Sequence, residues 1–469
     1  MTERIKIVYV GAGSAVWALR TIRDLIVSKE LSSREIVLVD LDQKRLDYSY
    51  QLAERYNRAA RGRLKIEKSD NIEQVLGDSD FIINTVLAGG GHRLQEKVRE
   101  VSEKHGYYRG IESTEFNMVS DYATTFAGYG QLKYVFELQK RIHDLCPDAW
   151  LFNIANPMFE LQTLLVRGNM IKSVSYCDGT LHYRQIAEFF GLDPDKIDFQ
   201  MAGLNHNLWL TKLRYHDEDQ YPRIEDWSRN KSADYWQHEE YYRQFVDNMP
   251  ISEISRNVQF SRVSVDMYKT YGLFPVGDIV RSGTWKYHYD LRTKQKWYGP
   301  YGGFDSEIGW GAYLKQLEVN NMRIRELSDK SNSEILNDIP MVKGHDPTVP
   351  FIEAIAFGRK TRAHLNVRND DIIQGLPGDI AVEVPVVVDK RGIHPERIIG
   401  LNDRIVKEFF TPRMTNMELA LDAFFSGDRN VLMEIISRDR RTKSNEQAET
   451  LLKDVLNIPE NASAKKHYR

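Results

Sequence analysis

Cysteine is scarce in this chain, and so are long apolar runs and any excess of one charge. The 469 residues include two cysteines, Cys146 and Cys177, which excludes a framework of several disulfides and predicts a reducing, cytoplasmic location. No apolar run is long enough to span a bilayer, and Lys6 interrupts the first one, so neither a membrane association nor a secretory signal is expected. A net charge of −3 gives no reason to expect nucleic acid as a partner. The remaining composition, 42% hydrophobic and 28% charged residues, is ordinary for a soluble globular enzyme.

Two glycines follow a short β-branched run near the start of the chain. Residues 5–10 predict a buried strand, after which Gly11 permits a sharp turn. Gly13, next to Ser14, lets a pyrophosphate approach backbone N–H groups at the start of a helix. Val16 stands where the usual pattern has a third glycine, so the motif is incomplete. The pattern predicts a dinucleotide site, with these three residues as cofactor contacts.

A second apolar run, residues 35–39, ends at Asp40. An acidic residue at that place accepts hydrogen bonds from the ribose hydroxyls and disfavours a 2′-phosphate, so Asp40 predicts NAD rather than NADP. Asp42 competes for this role, although its place before a helical run suits a helix N-cap better. Asn84 lies in a further predicted strand, residues 80–85, and is a candidate for another cofactor contact.

Repeated apolar runs separated by helical segments predict an α/β fold built on a Rossmann-like, doubly wound parallel sheet. We expect an NAD-binding domain over residues 1–200. Residues 201–469 are expected to form an α+β domain for substrate binding and oligomerisation, like the C-terminal half of lactate and malate dehydrogenases. In that second part residues 380–389 are β-rich, and the polar tail 462–469 is expected to fray.

Cys177 and His206 are the candidate metal ligands. Each lies beside a predicted strand, but they are far apart in sequence, unlike the closely spaced ligands of a structural zinc site. From the residues alone, a cysteine such as Cys177 is more often a small buried apolar side chain, and a histidine such as His206 is more often a hydrogen-bonded core residue.

Several motifs occur in an order that is similar to family 4 of the glycoside hydrolases, whose NAD-dependent members are exceptions to two-carboxylate hydrolysis. The motifs are the Gly-x-Gly turn at Gly11, Asn156-Pro157, Cys177-Asp178, and Gly203 followed by Asn205-His206. The resemblance covers essentially the whole chain. Residues 104–110 and 285–289 look most like members that act on α-glucuronides.

The resemblance implies a redox route to hydrolysis of α-glycosides, most of all α-D-glucuronides. NAD⁺ takes hydride from C3 of the sugar, a base takes the C2 proton, the glycosidic oxygen leaves C1, water adds and the hydride returns. A divalent cation on Cys177 and His206 would bind O2 and O3 of the sugar as a Lewis acid. The family usually uses Mn²⁺, and Co²⁺, Ni²⁺ or Fe²⁺ are alternatives because a thiolate is an unusual ligand for Mn²⁺.

The resemblance also assigns the proton transfers. Asp178 matches an acidic residue that protonates the leaving group in some members, although glucuronide-acting members tend to have His there. The alternative is that Asp178 caps the turn at Gly179. Asp266 matches the position of the C2 base, with Tyr268 and Tyr271 as rivals because other members have a tyrosine there.

Four residues are candidates for substrate binding. Asn156 and Asn205 belong to the matching motifs and are expected to orient sugar hydroxyls. Arg281 is a candidate for bidentate binding of a uronate carboxylate, and Lys286 is a second candidate. The alternative substrates within the family are α-galacturonides, α-glucosides and α-galactosides.

Two other functions compete with this hypothesis: an NAD-dependent 2-hydroxy-acid dehydrogenase and a non-catalytic NAD-sensing protein. Neither needs Cys177, His206 and Asp266 in one chain. Family members are commonly dimers or tetramers, so a homodimer or homotetramer is expected, with the aromatic segment 235–242 as a candidate interface. Residues 89–91 are interpreted as a mobile loop over the cofactor or as a plain tight turn.

Overall fold

The computed structural model describes residues 4–89, 91–110, 128–237 and 259–469. Within these ranges thirteen strands join one sheet. The strands are β1 (Lys6–Val10), β2 (Glu35–Val39), β3 (Lys65–Ser69), β4 (Phe81–Asn84), β5 (Trp150–Asn153), β6 (Lys172–Ser175), β7 (Ile197–Leu204), β8 (Asn207–Tyr215), β9 (Glu218–Asp219), β10 (Phe274–Val276), β11 (Thr361–Arg368), β12 (Ala381–Asp389) and β13 (Gly392–Pro395).

Helices cover the sheet along the described parts of the chain. They are α1 (Ala15–Val27), α2 (Gln43–Ala59), α3 (Gly91–Lys104), α4 (Tyr129–Leu145), α5 (Met158–Gly168), α6 (His182–Phe189), α7 (Tyr221–Asp226), α8 (Ser232–Tyr235), α9 (Arg262–Tyr271), α10 (Ile279–Ser282), α11 (Leu291–Tyr298), α12 (Glu307–Asp329), α13 (Asn332–Asp338), α14 (Thr348–Phe357), α15 (Asp403–Ile405), α16 (Thr411–Ser426), α17 (Arg429–Arg438), α18 (Asn445–Leu456) and α19 (Ala462–His467). Short 3₁₀ turns occur at Asp178–Leu181, Pro194–Lys196, Trp285–Tyr287 and Pro459–Asn461, and π turns at Trp227–Lys231 and Val406–Phe410.

The first half of the sheet has the strand order β3-β2-β1-β4-β5-β6, and all of these pairs are parallel. This is the doubly wound order of dinucleotide-binding folds, so the predicted Rossmann-like α/β class is confirmed. Strands β1 and β4 are buried at every position because helices cover both faces of a parallel sheet.

The sequence prediction missed β3. Its burial alternates poorly and three of its five residues are charged, as expected of an edge strand. The tail was also misjudged. Residues 462–467 form α19, and Arg469 pairs its backbone with Gly427 and Arg429, which ties the chain end to the C-terminal helices.

The second half of the chain extends the same sheet through antiparallel pairs. Strand β11 joins β6, and β12, β7, β8 and β10 follow in that order. The sheet is therefore continuous across the expected boundary near residue 200. Among the described residues, no helix combines the length and the apolar character needed to cross a membrane.

A buried ion pair ties the two halves together. Arg413 of α16 donates two hydrogen bonds to the carboxylate of Glu160 on α5, one of them at 2.8 Å. The Glu160 side chain is fully buried and that of Arg413 is 8% exposed. Removing one partner of such a pair leaves the other charge buried without compensation.

Glu160→Gln should therefore lower the free energy of unfolding by about 3–5 kcal/mol. Glu418→Gln is the matched control, because Glu418 accepts from Arg167 between the same two helices at a partly exposed place. A partly exposed pair contributes about 0–1 kcal/mol. Urea unfolding followed by circular dichroism measures both changes, and equal losses for the two variants would contradict the assignment.

Candidate metal centre and cofactor cleft

Three side chains with metal-binding atoms converge beside the sheet. Cys177 follows β6, His206 lies in the turn between β7 and β8, and Asp278 follows β10. One ligand atom from each, the Cys177 sulfur, a His206 ring nitrogen and an Asp278 carboxylate oxygen, all lie within 4.8 Å of one another. His206 Nε2 lies 3.5 Å from Asp278 Oδ2. The structure thus brings the two predicted ligands together and adds an acidic third.

Two loops approach closely to form this group. A Cβ atom on Gly277 would lie 2.9 Å from the carbonyl oxygen of Gly179, and Gly277 has a φ of +69°. A side chain there would push the loop that holds Asp278 away from the turn that follows Cys177. Within that turn, the N–H of Gly179 donates to Cys177 Sγ at 3.4 Å.

The electrostatics of the group match a cation site. Burial, followed by the nearby carboxylates of Glu383 and Asp278, raises the pKa of the Cys177 thiol well above its usual value. Burial lowers the pKa of His206, which favours the neutral imidazole that binds metals. Burial alone would raise the pKa of Asp278, but His206 and Arg281 lower it to about 2. The set therefore offers one sulfur, one neutral nitrogen and one carboxylate, which suits a divalent transition metal.

A second carboxyl group backs this set. Glu383 on β12 is fully buried, and its Oε2 accepts a hydrogen bond from Asn205 Nδ2 at 3.0 Å. Burial raises the pKa of Glu383 to about 8, against the hydrogen bonds from Asn205 and Asn366. Sequence reasoning missed both Glu383 and Asp278. The sequence signal for Glu383 was that it is the one charged residue in the apolar run 380–388.

A cleft of about 2420 Å³ opens where the parallel strands end. Gly11, Ser14, Asp40 and Thr85 lie on its wall, after β1, β2 and β4. A Cβ on Gly11 would lie 2.7 Å from Thr85 Oγ1, so glycine is needed for the turn to pack this closely against Thr85. Asp40 Oδ2 accepts from the N–H of Gly13 at 2.8 Å. The predicted glycine turn and acidic residue therefore form one unit.

Two neighbouring predictions have separate outcomes. Asp42 caps α2 by accepting from the N–H of Arg45, as predicted. Asn84 is fully buried, donates to Asn153 Oδ1 at 2.9 Å and accepts from the N–H of Val86 at 3.3 Å. Asn84 thus stabilises the loop after β4, and its role as a cofactor contact stays a prediction.

Asp178 lies between the two regions. It follows the candidate ligand Cys177 and also lines the cleft, where it accepts from Arg20 of α1 at 3.0 Å. The sulfur of Cys177, rather than the carboxylate of Asp178, accepts from the N–H of Gly179. The turn-capping alternative for Asp178 is therefore wrong.

Asp266 belongs to a different contact group. Its Oδ2 accepts from Lys286 Nζ at 2.5 Å and from the Tyr287 hydroxyl at 2.6 Å. Tyr268, its predicted rival, packs near Tyr221 and Phe274 with only 8% of the residue exposed. These contacts are those of a packed core residue. They correct the expectation of a catalytic tyrosine at position 268, since a proton acceptor must reach the substrate.

Arg281 also differs from its predicted role. Its Nε and Nη2 donate to both oxygens of Asp305 at 3.0 and 2.6 Å, and Nη1 donates to Asp278 at 2.7 Å. All three guanidinium nitrogens thus bind carboxylates of the protein itself, which corrects the expectation of a substrate-binding fork. Lys286 is paired with Asp266 but half exposed. Asn156 lies after β5 and accepts from the N–H of Met158 at 3.3 Å.

Two further expectations concern segments that the structure describes only in part, residues 89–91 and 235–242. Gly89 lies against Gly130 of α4, and Gln131 accepts from the N–H of Ala88, which favours the tight-turn interpretation. Gly90 lies outside the described residues. In the segment 235–242, Trp236 donates to the Phe260 carbonyl, while residues 238–242 also lie outside the described part.

The strand order and the cleft at the ends of the parallel strands define a Rossmann-like α/β protein. The sequence model of the family 4 glycosyl hydrolases matches residues 6–189 of this chain. The model of the C-terminal domain of the same family matches residues 201–442. The chain belongs to family 4 of the glycosyl hydrolases and is a glycosidase.

Several relatives match this chain over nearly its whole length. An α-galactosidase of Bacillus subtilis (strain 168) is 26% identical over 465 residues, which covers 97% of this chain and 96% of that protein. An α-galacturonidase of the same strain is 22% identical over 469 residues, with 97% of each covered. A 6-phospho-α-glucosidase from gut microorganisms, solved in complex with NAD and Mn²⁺, superposes with a TM-score of 0.74 at 16% identity, covering 99% of each chain.

The geometry predicts a thiolate ligand that absorption spectroscopy detects. Addition of Co²⁺ to the metal-free protein should produce a near-ultraviolet sulfur-to-cobalt band, because the bound cation displaces the proton of Cys177. Cys177→Ser should abolish the band, and Asp278→Asn should weaken cobalt binding. Cys146→Ser is the control, since Cys146 is buried after α4 and away from the set. A band that survives in Cys177→Ser would refute the assignment.

Proposed function

We propose that this protein hydrolyses α-glycosides, most of all α-D-glucuronides, with NAD⁺ and a divalent cation as cofactors. Mn²⁺ is the proposed cation, with Co²⁺, Ni²⁺ or Fe²⁺ as alternatives. The strongest support is the position of Asp178. It follows the candidate ligand Cys177 and also lines the cleft that contains the Gly11 turn. A redox route needs the dinucleotide and the cation to reach the same sugar ring.

The residues around the cleft fit NAD⁺. The turn at Gly11, the start of α1 after Ser14 and the carboxylate of Asp40 lie together at the cleft, which supports binding of a pyrophosphate and a ribose there. Cys177, His206 and Asp278 would hold the cation. The relatives support both choices, because a related 6-phospho-α-glucosidase was solved with NAD and Mn²⁺.

When bound, these groups supply a hydride acceptor for C3 and a Lewis acid for the neighbouring sugar hydroxyls. Asp178 then donates a proton to the leaving glycosidic oxygen, and Asp266 accepts the C2 proton. Lys286 and Tyr287 hold Asp266 Oδ2 in one position for that transfer. Asn156 and Asn205 orient sugar hydroxyls.

Uronate specificity rests on a half-exposed cation. Lys286 keeps donor positions beyond its bond to Asp266, because an ammonium group has three N–H bonds. The resemblance of residues 104–110 and 285–289 to glucuronide-acting members supports the same substrate class. A related α-galacturonidase makes galacturonides the first alternative, followed by glucosides and galactosides.

We further propose that residues 1–200 bind the dinucleotide and that residues 201–469 bind substrate and form a homodimer or homotetramer. The ligand set itself combines both parts, because Cys177 comes from the first and His206 and Asp278 from the second.

A screen of aryl α-glycosides tests the substrate assignment. We expect p-nitrophenol release from the α-glucuronide that requires NAD⁺, Mn²⁺ and reducing conditions, and slower release from the galacturonide, glucoside and galactoside. Cys177→Ser should lose metal-dependent turnover, whereas Cys146→Ser should keep it. Products formed in D₂O should contain deuterium at C2, because that proton is exchanged in the proposed route. Net NADH formation from a hydroxy acid, without release from any glycoside, would refute the proposal.

The cofactor preference has its own test. Asp40→Asn keeps the side-chain shape but removes the charge, so the dissociation constant of NAD⁺ should rise by roughly tenfold, about 1.5 kcal/mol. NADP⁺ binding should improve because the repulsion of its 2′-phosphate is lost. Asp42→Asn is the matched control, since asparagine also caps a helix. Fluorescence titration with both cofactors measures the ratio, and an unchanged ratio in Asp40→Asn would exclude this role.

A further inference from the structure

The side chain of Asp278 uses its two oxygens differently. Oδ1 accepts from Arg281 Nη1 at 2.7 Å, whereas Oδ2 lies 3.5 Å from His206 Nε2, on the side of the ligand set. The two side chains of this ion pair are only 11% and 13% exposed. The guanidinium therefore fixes the rotation of the carboxylate and presents Oδ2 to the ligand set.

Arg281 is in turn held by a second carboxylate. Asp305 accepts two parallel bonds from Arg281, and its side chain is 6% exposed. The Phe304 ring lies 4.0 Å from the guanidinium carbon and covers it. Bidentate pairing fixes an arginine far better than a single bond does.

We propose that Arg281 and Asp305 are positioning residues that hold Asp278 in the orientation in which Oδ2 faces the ligand set for the divalent cation. This inference rests on the metal centre of the proposed function. With Arg281 alone, the positive charge would neutralise Asp278 and draw its oxygens away from the cation. Asp305 offsets that charge, so the two carboxylates and one guanidinium keep a net charge of −1 facing the cation.

The network continues into the two segments that resemble glucuronide-acting members. Arg109 Nε donates to the backbone oxygen of Asp305 at 3.2 Å, and Arg109 is 1% exposed. Arg441 donates to the carbonyl oxygens of Tyr108 and Gly110 at 2.5 and 2.9 Å, and stacks 4.1 Å from Trp285. Arg441 thus joins residues 104–110 to Trp285, and Arg109 joins the same residues to Asp305. This contact gives residues 104–110 a role that the reaction scheme alone does not supply.

The test measures Mn²⁺ binding by calorimetry on the metal-free, full-length protein. Asp305→Asn should raise the dissociation constant for Mn²⁺ by about 10–100-fold, the usual cost of disturbing the outer-shell support of a metal ligand, because Asp305 acts on Asp278 through Arg281. Arg281→Lys keeps the charge but loses the fork, and should give a smaller loss in the same direction. If Asp305→Asn does not fold, Arg281→Lys alone decides the question.

Glu353→Gln is the matched control. Glu353 is also a buried carboxylate, paired with Ser28 and Lys343 at 2.7 and 2.9 Å, and it lies on α14 outside the network. It should lower the melting temperature while Mn²⁺ affinity stays within about twofold of wild type. This separates a positioning role from a general loss of stability.

The outcomes distinguish the two levels of the hypothesis. Wild-type Mn²⁺ affinity in folded Asp305→Asn or Arg281→Lys would overturn the positioning role but leave the metal centre intact. Equal Mn²⁺ binding by wild type and Cys177→Ser would instead overturn the metal centre on which the proposed function rests.

Discussion

The close approach of two loops is the constraint on which the candidate site depends. The turn after β6 and the loop after β10 come from different halves of the chain, and a Cβ on Gly277 would meet the backbone of Gly179. The continuous sheet makes this approach possible, because β6 is linked to β10 through the four strands between them in a fixed order. A separation of the halves would break the pairing of β6 with β11 and would disperse the ligand set.

The parallel half of the fold was predictable because its physical signal is local. Buried parallel strands need apolar residues at nearly every position, so a run such as residues 35–39 is recognised as a strand from the sequence alone. The glycine turn, Asp40 and the cap at Asp42 follow from the same short stretches. The sequence did not predict strand β3, because an edge strand is partly solvated and tolerates charged residues such as Lys65, Glu67 and Lys68.

The site was predictable only where a residue's chemistry is visible without its neighbours. Cys177 and His206 are unusual enough to be candidates, and the family resemblance then identifies them as ligands, whereas Asp278 is one of many aspartates. Its importance comes from the approach of distant loops. Arg281 shows the opposite error, since an arginine near a motif suggests substrate binding until its carboxylate partners are known. Glu383 and Asp305 likewise gain their meaning from burial, which the local sequence does not report.

Burial of so much charge is expensive unless a further interaction compensates for it. Isolated buried ion pairs are often no more stabilising than apolar side chains of the same volume, so stability alone does not explain the group around Asp278. In its arrangement, Arg281 donates to Oδ1 of Asp278 and to both oxygens of Asp305, while Oδ2 of Asp278 lies on the side of His206. A divalent cation at that place would complete the charge balance and would be held by a carboxylate that cannot rotate away. The same rigidity would place Asp178, one residue after Cys177, at a constant distance from the cation and the cleft. The network therefore favours a site built for one repeated geometry, as a route that removes and returns hydride at a single carbon requires.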